Sequence, residues 1–428
     1  MTTTHPRPVT TPRVPGARSA PVDPARWPDV AVPPRTSRAR RATAAAVVRR
    51  ALDRLPLRVR FADGDTVGLG GPLVEVHDPD AFHGRIGAQG LIGFGESYMA
   101  GEWDAPDLVG ALTVLAANAA ELVPAPLQRL RGLWAQRQPA ARRNTPEGAR
   151  SNISSHYDLS NDLFALFLDE TLSYSSAVFL GFPSRQESIA AAQRRKIDRL
   201  LDLAEVGEGT RLLEIGTGWG ELALRAAARG AHVTTLTLSR EQRDRAVERA
   251  HEAGLADRVR VELRDYREET GTYDAVVSVE MIEAVGAEFW PVYFRTLDDR
   301  LAPGGRAALQ AITMPHDRMT AARDTYTWIQ KYVFPGGLIP STDAIEETVR
   351  DHTGLRAARR DDFGAHYAET LRLWRERFTE HADEVDALGF DETFRRLWTF
   401  YLAYSEAGFR AGYLDVQQYL FTKESHAR

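Results

Sequence analysis

The sequence predicts an α/β fold built on a parallel sheet, and three observations support this fold class. Short apolar runs typical of buried strands alternate with helical patterns between residues 211 and 312. A glycine-rich turn joins the first run to a helix, and a Pro-Gly-Gly turn at 303–305 precedes the last run. Such alternation is typical of parallel sheets with crossover helices, which bind ligands at the carboxyl ends of their strands.

The first predicted strand, 211–215, leads into the most specific motif of the chain. In the turn that follows it, Gly216 and Gly218 allow tight bends and a close ligand approach that a Cβ would block. A helix begins at Glu221. Further strands are predicted, in order, at residues 231–238, 259–263, 273–279 and 306–312, with a helix at 240–254.

The turn lacks the third glycine of a dinucleotide site and the Gly-Lys-Ser/Thr of a phosphate-binding loop. Glu214 precedes the first glycine, where a carboxylate repels a pyrophosphate but suits a ligand that carries an ammonium group. S-adenosylmethionine is such a ligand, so the sequence favours it as the cofactor. A tight strand-to-helix connection without any ligand is the alternative. The polar candidates at the strand ends are Thr237, Ser239, Gln242, Asp265 and Glu283.

We expect three parts along the 428 residues. Residues 1–42 are rich in Pro, Arg, Ala and Thr and predict a disordered basic tail, either in contact with anionic lipid or simply solvated. Residues 43–139 predict a small N-terminal α+β domain, with a helix at 44–55. Residues 140–428 predict the ligand-binding domain, with lipid-binding helices toward its end.

Composition excludes several classes of function. The net charge of −5 gives no nucleic-acid signature. The chain has no cysteine, which excludes disulfides, thiolate metal sites and a cysteine nucleophile, and we expect no metal. No apolar run reaches membrane-spanning length, and no apolar signal core opens the chain, so a cytoplasmic protein is expected.

Several separate motifs carry a family resemblance between residues 45 and 422. They occupy residues 156–162, 172–176, 214–220, 236–242, 278–286 and 332–337. Through them the chain resembles the cyclopropane-fatty-acyl-phospholipid synthases and the mycolic acid methyltransferases. The resemblance implies a Rossmann-like class I S-adenosylmethionine-dependent methyltransferase sheet with a helical acyl-binding cover. It also implies a set of cofactor-binding residues: Tyr174, Ser175, Gly216, Gly218, Thr237, Gln242, Asp265 and Tyr266.

Chemistry on an isolated cis double bond needs an apolar tunnel, aromatic faces toward a carbocation, and one base. In the resembled family the base is commonly a bicarbonate ion held by a cysteine backbone, a glutamate, a histidine and a tyrosine. The corresponding residues of this chain are Ser176, Glu283, Gln310 and Tyr367. Gln310 can donate a hydrogen bond but cannot relay a proton. Either bicarbonate is held by neutral donors, or Glu283 takes the proton, while Glu280 is assigned to the methionine end of the cofactor.

Gln310 and the segments 314–319 and 325–332 resemble the actinobacterial branch that builds tuberculostearic (10-methyl) acids. The resemblance implies methyl transfer to oleoyl chains of membrane phospholipid, giving a 10-methylene chain that a separate flavin-dependent reductase saturates. A cyclopropane synthase is the alternative, and a non-catalytic lipid-binding subunit is a remote one. We expect peripheral contact with the inner face of the membrane, and homo-oligomerisation stays open.

Overall fold

The sheet predicted from the glycine-rich turn has seven strands in the computed structural model. The structure describes residues 21–119, 139, 144–145, 148–149, 160–184, 187–323 and 325–425. The sheet strands are β5 (Arg211–Ile215), β6 (His232–Thr237), β7 (Val259–Leu263), β8 (Tyr273–Val279), β9 (Leu301–Thr313), β10 (Leu355–Asp362) and β11 (Asp415–Lys423). Their order is β10-β11-β9-β8-β5-β6-β7.

Strands β5 to β9 pair in parallel and confirm the α/β prediction. The last predicted strand is longer than expected, because β9 runs through the Pro-Gly-Gly segment instead of starting after it. The sequence analysis missed β10 and β11, which pair antiparallel with each other and extend the sheet beyond β9. Strand β11 lies directly beside β9, so its side chains reach the middle of the molecule.

Helices cover both faces of this sheet. The helices that lie before or between the sheet strands in the chain, up to β10, are α7 (Ile189–Leu203), α8 (Glu221–Ala228), α9 (Arg240–Glu252), α10 (Trp290–Arg300), α11 (His316–Ala322), α12 (Trp328–Tyr332) and α13 (Thr342–His352). Apolar side chains pack in one cluster around Leu212 and Ala226 and in another around Leu213 and Phe294. Neighbouring residues of β5 therefore serve opposite faces, as the alternation of side chains along a strand requires.

The N-terminal part forms a second, four-stranded sheet in the order β2-β1-β3-β4. Its elements are α1 (Pro28–Ala31), α2 (Arg38–Leu52), β1 (Arg58–Phe61), β2 (Thr66–Val67), β3 (Leu73–Val76), α3 (Pro79–Gln89), α4 (Leu91–Met99), β4 (Trp103–Asp104) and α5 (Leu108–Ala117). This mixture of helices and strands agrees with the predicted α+β character. The predicted boundaries at 42 and 139 stay predictions.

The prediction of a disordered tail over residues 1–42 is wrong for residues 21–42; residues 1–20 lie outside the described part. Val30 is buried, and the guanidinium of Arg85 donates to the backbone carbonyls of Asp29 and Val30 at 2.8 and 2.5 Å. The indole Nε1 of Trp27 donates to Asp391 at 2.8 Å. Two apolar anchors with long-range partners thus order a segment whose composition suggested disorder.

A helical cover packs over the sheet and over the N-terminal part together. Its elements are α6 (Asn161–Phe167), α14 (Gly364–Glu380), α15 (Ala382–Ala387) and α16 (Glu392–Arg410). One continuous apolar cluster joins the N-terminal residues Phe82 and Trp103 to Trp374 and Trp398 of the cover. In the described part of the chain, no helix has both the length and the apolarity needed to cross a bilayer.

Candidate active site

A cavity opens at the carboxyl ends of β5, β6 and β8, the edge at which parallel sheets bind ligands. All eight predicted cofactor-binding residues line it. They are Tyr174, Ser175, Gly216, Gly218, Thr237, Gln242, Asp265 and Tyr266. Because these residues come from separate segments of the chain, their convergence could not follow from local sequence. Their roles toward a ligand stay predictions.

The glycine turn shapes the floor of this cavity. Gly216 and Gly218 have φ angles of +98° and +52°, which L-residues other than glycine rarely adopt. A Cβ on Gly216 would lie 2.6 Å from the Cγ of Met281, whereas a Cβ on Gly218 would meet no atom within 4 Å. The first glycine therefore permits close packing, and the second leaves space beside the cavity.

Two buried titratable side chains lie at the back of the cavity, and one of them is Glu214. Its Oε2 accepts a 2.6 Å hydrogen bond from Thr235, and burial raises its pKa to about 8. The other is Lys196, whose ammonium donates to Ser175 at 2.5 Å and whose pKa burial lowers to about 8. The sequence analysis missed Lys196. The only signal in the sequence was the scarcity of lysine, which made each lysine of the chain a candidate for a specific role.

The polar rim is fixed by a helix cap. Ser239 caps α9 by accepting the backbone N–H of Gln242 at 3.2 Å, and Thr237 donates to the side-chain oxygen of Gln242 at 3.0 Å. On the next loop Asp265 is held by Arg267 through a 2.6 Å ion pair. Tyr266 packs edge-on against the ring of Tyr293.

A second cluster adjoins the cavity and is centred on Glu280, which lies one residue beyond β8. The backbone N–H of Ser176 and the side-chain amide of Gln310 donate to its Oε1 at 2.9 and 2.8 Å. The hydroxyl of Tyr367 donates to its Oε2 at 2.7 Å. Three of the four predicted catalytic residues therefore meet, and the group that they surround is the carboxylate of Glu280.

Gln310 is oriented by a strand that was not predicted. Gln418 of β11 donates from its side-chain amide to the Oε1 of Gln310 at 3.0 Å, and both residues are fully buried. With its oxygen occupied in this way, the amide of Gln310 presents its nitrogen to Glu280. The backbone carbonyl of Gln310 also accepts the N–H of Glu280 at 2.8 Å. Glu280 and Gln310 are therefore locked together in both directions.

Glu283 lies in the short 3₁₀ turn Ile282–Ala284, outside this cluster of donors. Its Oε1 accepts the backbone N–H of Ile312, and within the described structure its buried Oε2 has no hydrogen-bond partner. Burial, reinforced by the charge of Glu280, raises the pKa of Glu283 to about 8. The predicted role of Glu283 as the base stays a prediction.

Aromatic rings of the helical cover close the site. Tyr174 shares a 2.8 Å hydrogen bond with the hydroxyl of Tyr401, and its ring packs against Trp374 with 5.3 Å between centroids. Trp398 lies 5.3 Å from Tyr401. Trp374, Trp398 and Tyr401 also belong to the apolar core, and Tyr174 packs against it. Across the described residues, no His, Cys, Asp and Glu side chains group as metal ligands would.

Residues 144–419 match the family described as mycolic acid cyclopropane synthetase, and this match covers more than half of the chain. The chain belongs to this family. The family is one of S-adenosylmethionine-dependent methyltransferases, and the parallel strands β5 to β9 and the glycine turn of this member agree with the predicted methyltransferase sheet.

Individual proteins of known name are similar to this chain and agree with the family assignment. The tuberculostearic acid methyltransferase UfaA1 of Mycobacterium tuberculosis is 54% identical over 415 residues, which cover 95% of this chain and 97% of that protein. The cyclopropane-fatty-acyl-phospholipid synthase of Escherichia coli is 32% identical, covering 82% of this chain and 87% of that one. A solved structure of the mycolic acid cyclopropane synthase CmaA1 with SAH and CTAB is 29% identical, with a TM-score of 0.59, covering 67% of this chain and 99% of CmaA1.

Proposed function

We propose that this family member methylates the cis double bond of oleoyl chains on phospholipid and releases a 10-methylene acyl chain, the precursor of a tuberculostearic-type acid. The similarity to UfaA1 along almost the whole of both chains carries this proposal. The more distant similarity to a cyclopropane-fatty-acyl-phospholipid synthase supports phospholipid as the carrier of the acyl chain. It also supports a cyclopropane as the alternative product.

The cavity suits S-adenosylmethionine as the methyl donor. The space beside Gly218 admits a ligand against the backbone, and the buried carboxyl of Glu214 offers an acceptor to an ammonium group. Thr237, Gln242 and Asp265 add polar groups at the rim. When bound, the cofactor supplies an electrophilic methyl group that an unactivated alkene can attack.

The protein must then protect a carbocation on the acyl chain. The ring of Tyr174 lines the cavity, supported by Trp374 and Tyr401, and an aromatic face that such a cation meets stabilises it by about 1 kcal/mol. A hydride shift gives the tertiary cation, and loss of a proton from the new methyl group gives the methylene. Earlier loss of the same proton closes a cyclopropane, so the position and timing of one base decide the product.

Bicarbonate does not fit this site as the base. Of the four residues predicted to hold it, Ser176, Gln310 and Tyr367 all donate to the carboxylate of Glu280, and the fourth, Glu283, is itself a carboxyl group. A second anion would therefore compete with the carboxylate of Glu280 for these three donors, and its repulsion from Glu280 is unfavourable at short range in a site of low polarity.

Peripheral contact with the membrane surface is part of the proposal, because an acyl chain must leave the bilayer to reach the site. Leu180 and Phe182 lie on one loop with 80% and 52% of their surface exposed, and they are suited to enter the acyl boundary. A methylene product also requires a separate hydride donor for its saturation, for which a flavin-dependent reductase is the partner that we propose. Its direct binding and homo-oligomerisation stay predictions.

Expression of this chain in a bacterial host whose phospholipids are rich in oleate tests the proposal. We expect the oleoyl chains to gain one CH₂, as measured by mass analysis of the released fatty acids. A non-catalytic lipid-binding subunit would leave the fatty acids unchanged, and titration calorimetry would then show no binding of S-adenosylmethionine at millimolar concentration.

A further inference from the structure

We propose that the carboxylate of Glu280 is the proton acceptor of the reaction. It takes the place of the bicarbonate ion that commonly serves as the base in the resembled family. The inference rests on the proposed function, since it assigns the base for the same methyl transfer. It is carried by the three hydrogen bonds that converge on Glu280 from distant parts of the chain.

The donors form a preorganised anion site. Ser176 comes from the loop before α7, Gln310 from β9 and Tyr367 from α14, and their donor distances to the Glu280 oxygens lie between 2.7 and 2.9 Å. Hydrogen bonds to an ionised carboxylate are roughly twice as strong as neutral ones. Three such bonds from rigid elements hold the charge in one place, as a base that acts at a fixed carbon requires.

The backbone of Glu280 is strained in a way that this role explains. Its φ is +51°, in the left-handed region that costs a residue other than glycine roughly 1 kcal/mol or more. Residues held in such conformations cluster at functional sites, where the surrounding contacts maintain them. Here the N–H of Glu280 is tied to the carbonyl of Gln310 and its side chain to three donors.

Glu280 lies where the methyl donor is proposed to bind. It lines the cofactor cavity together with Gly216 and Met281, and the residue keeps part of its surface accessible. The positive charge of Lys196 opposes the burial that raises the pKa of Glu280. Three donors surround Glu280 and only one, the N–H of Ile312, contacts Glu283, whose pKa burial and the neighbouring Glu280 raise to about 8, so the geometry places the negative charge of this pair on Glu280.

The step balances within the substrate and this one side chain. A C–H bond of the transferred methyl group breaks, and its electron pair forms the C=C bond to the adjacent cationic carbon. The proton forms an O–H bond with Glu280 and passes to water when the product leaves. The overall reaction consumes the alkene and S-adenosylmethionine and yields the methylene chain, S-adenosylhomocysteine and one proton.

The same assignment explains why glutamine stands at position 310. A histidine there could take a proton and pair with Glu280 as a cation, whereas an amide donates a hydrogen bond and stays neutral. Gln310 thus steadies the base without competing for its proton. Ser176 contributes only a backbone N–H to Glu280, so the identity of its side chain is unimportant for this contact.

Turnover in CO₂-free buffer, with and without added bicarbonate, tests the inference. The assay uses the full chain with oleoyl phospholipid vesicles and S-adenosylmethionine, and compares the wild type with Glu280→Gln, Glu280→Gly and the control Glu288→Gln. We expect wild-type and control turnover to be insensitive to bicarbonate. Glu280→Gln keeps the size of the side chain and should bind the cofactor normally, yet lose at least about a hundredfold in turnover.

Glu280→Gly is the decisive variant, because glycine relieves the positive φ and leaves the three donors facing a vacated anion site. We expect its turnover to be low without bicarbonate and to recover at least about tenfold with it, in line with the contribution of a positioned base. Bicarbonate dependence of the wild type would overturn the inference. So would near-normal turnover of Glu280→Gln, or no recovery in a Glu280→Gly protein that binds cofactor. A wild type that methylates no acyl chain would refute the proposed function itself.

Discussion

At the scale of single residues, the site depends on how two nearby carboxyl groups divide their charge. Glu280 is surrounded by donors, whereas Glu283 has one donor, the N–H of Ile312, and a second oxygen that is buried without a partner in the described structure. Two carboxyl groups in environments this different take different protonation states at one pH. The arrangement assigns the ionised form to Glu280 and the neutral form to Glu283.

Glu283→Gln tests this division through stability. The pKa of Glu283 is raised in the folded protein to about 8, so the folded state binds the proton more tightly than the unfolded chain does. The contribution of protonated Glu283 to stability is complete below the ordinary glutamate pKa of about 4.3, and it is lost as pH rises through 8. Glutamine does not titrate, so the variant does not lose stability in this way. The free energy of unfolding of the variant minus that of the wild type, measured by denaturant titration, should therefore increase between pH 5 and pH 9. A difference that is independent of pH would contradict the assignment.

The residue scale is also where the sequence was least informative. Glu280 and Glu283 lie three residues apart in one motif, and nothing local distinguishes them. The choice is made by Ser176, Gln310 and Tyr367, which are separated from them by dozens of residues. Likewise the burial of Lys196 depends on packing that a helical pattern alone does not reveal.

At the scale of elements, the glycine turn and the strands around it could be predicted well. The bounds of β5, β7 and β8 agree with the sequence because their apolar runs are bounded by clear turn residues. Strands β10 and β11 were missed, since β10 carries the mostly charged and exposed sequence of an edge strand. Because β11 was not predicted, Gln418 was not recognised as the residue that orients Gln310.

Alanine substitutions in the turn separate packing from ligand binding. Gly216→Ala should destabilise the free protein by roughly 2–4 kcal/mol, because it adds left-handed strain to a clash with Met281. Gly218→Ala should cost only about 1 kcal/mol of stability. It should weaken the binding of S-adenosylmethionine by about tenfold or more, because the methyl group of the new alanine enters the space for the ligand. Denaturant titration and calorimetry measure the two effects.

Gly254→Ala is the matched control for this pair. Gly254 has a φ of +67°, a Cβ added to it would meet no atom within 4 Å, and it lies outside the cavity. It should show the stability cost of Gly218→Ala without the loss of cofactor affinity. Equal cofactor binding by the Gly218 and Gly254 variants would remove the glycine turn from the binding site.

At the scale of the whole molecule, the N-terminal part and the helical cover share one core. Arg396 of α16 donates to the carbonyls of Tyr98 and Trp103 and to the carboxylate of Asp104, all on the N-terminal side. Composition predicted two compact units, but a core that joins segments nearly 300 residues apart has no local signal. Trp27, from the segment predicted to be disordered, adds a further link to Asp391.

Arg396→Ala tests this coupling against its neighbour, Arg395→Ala. Loss of Arg396 leaves the buried Asp104 with only the more distant His77, at 3.7 Å, as an ion-pair partner, and should cost about 3 kcal/mol because the closer partner of a buried ion pair has been removed. Arg395 pairs with Asp386, which is nearly half exposed, and should cost about 1 kcal/mol or less. Tryptophan fluorescence during denaturation measures the loss of stability in each of the two variants. Similar costs for the two variants would argue against a shared core.

The central claim is the conversion of oleoyl chains to 10-methylene chains, and product analysis tests it most directly. Purified protein is incubated with oleoyl phospholipid vesicles and S-adenosylmethionine, and the released fatty acids are analysed by mass before and after treatment with ozone. We predict a gain of one CH₂ whose ozonolysis gives a 10-oxo acid. A product of the same mass that resists ozone would be a cyclopropane and would contradict the claim, as would unchanged oleate.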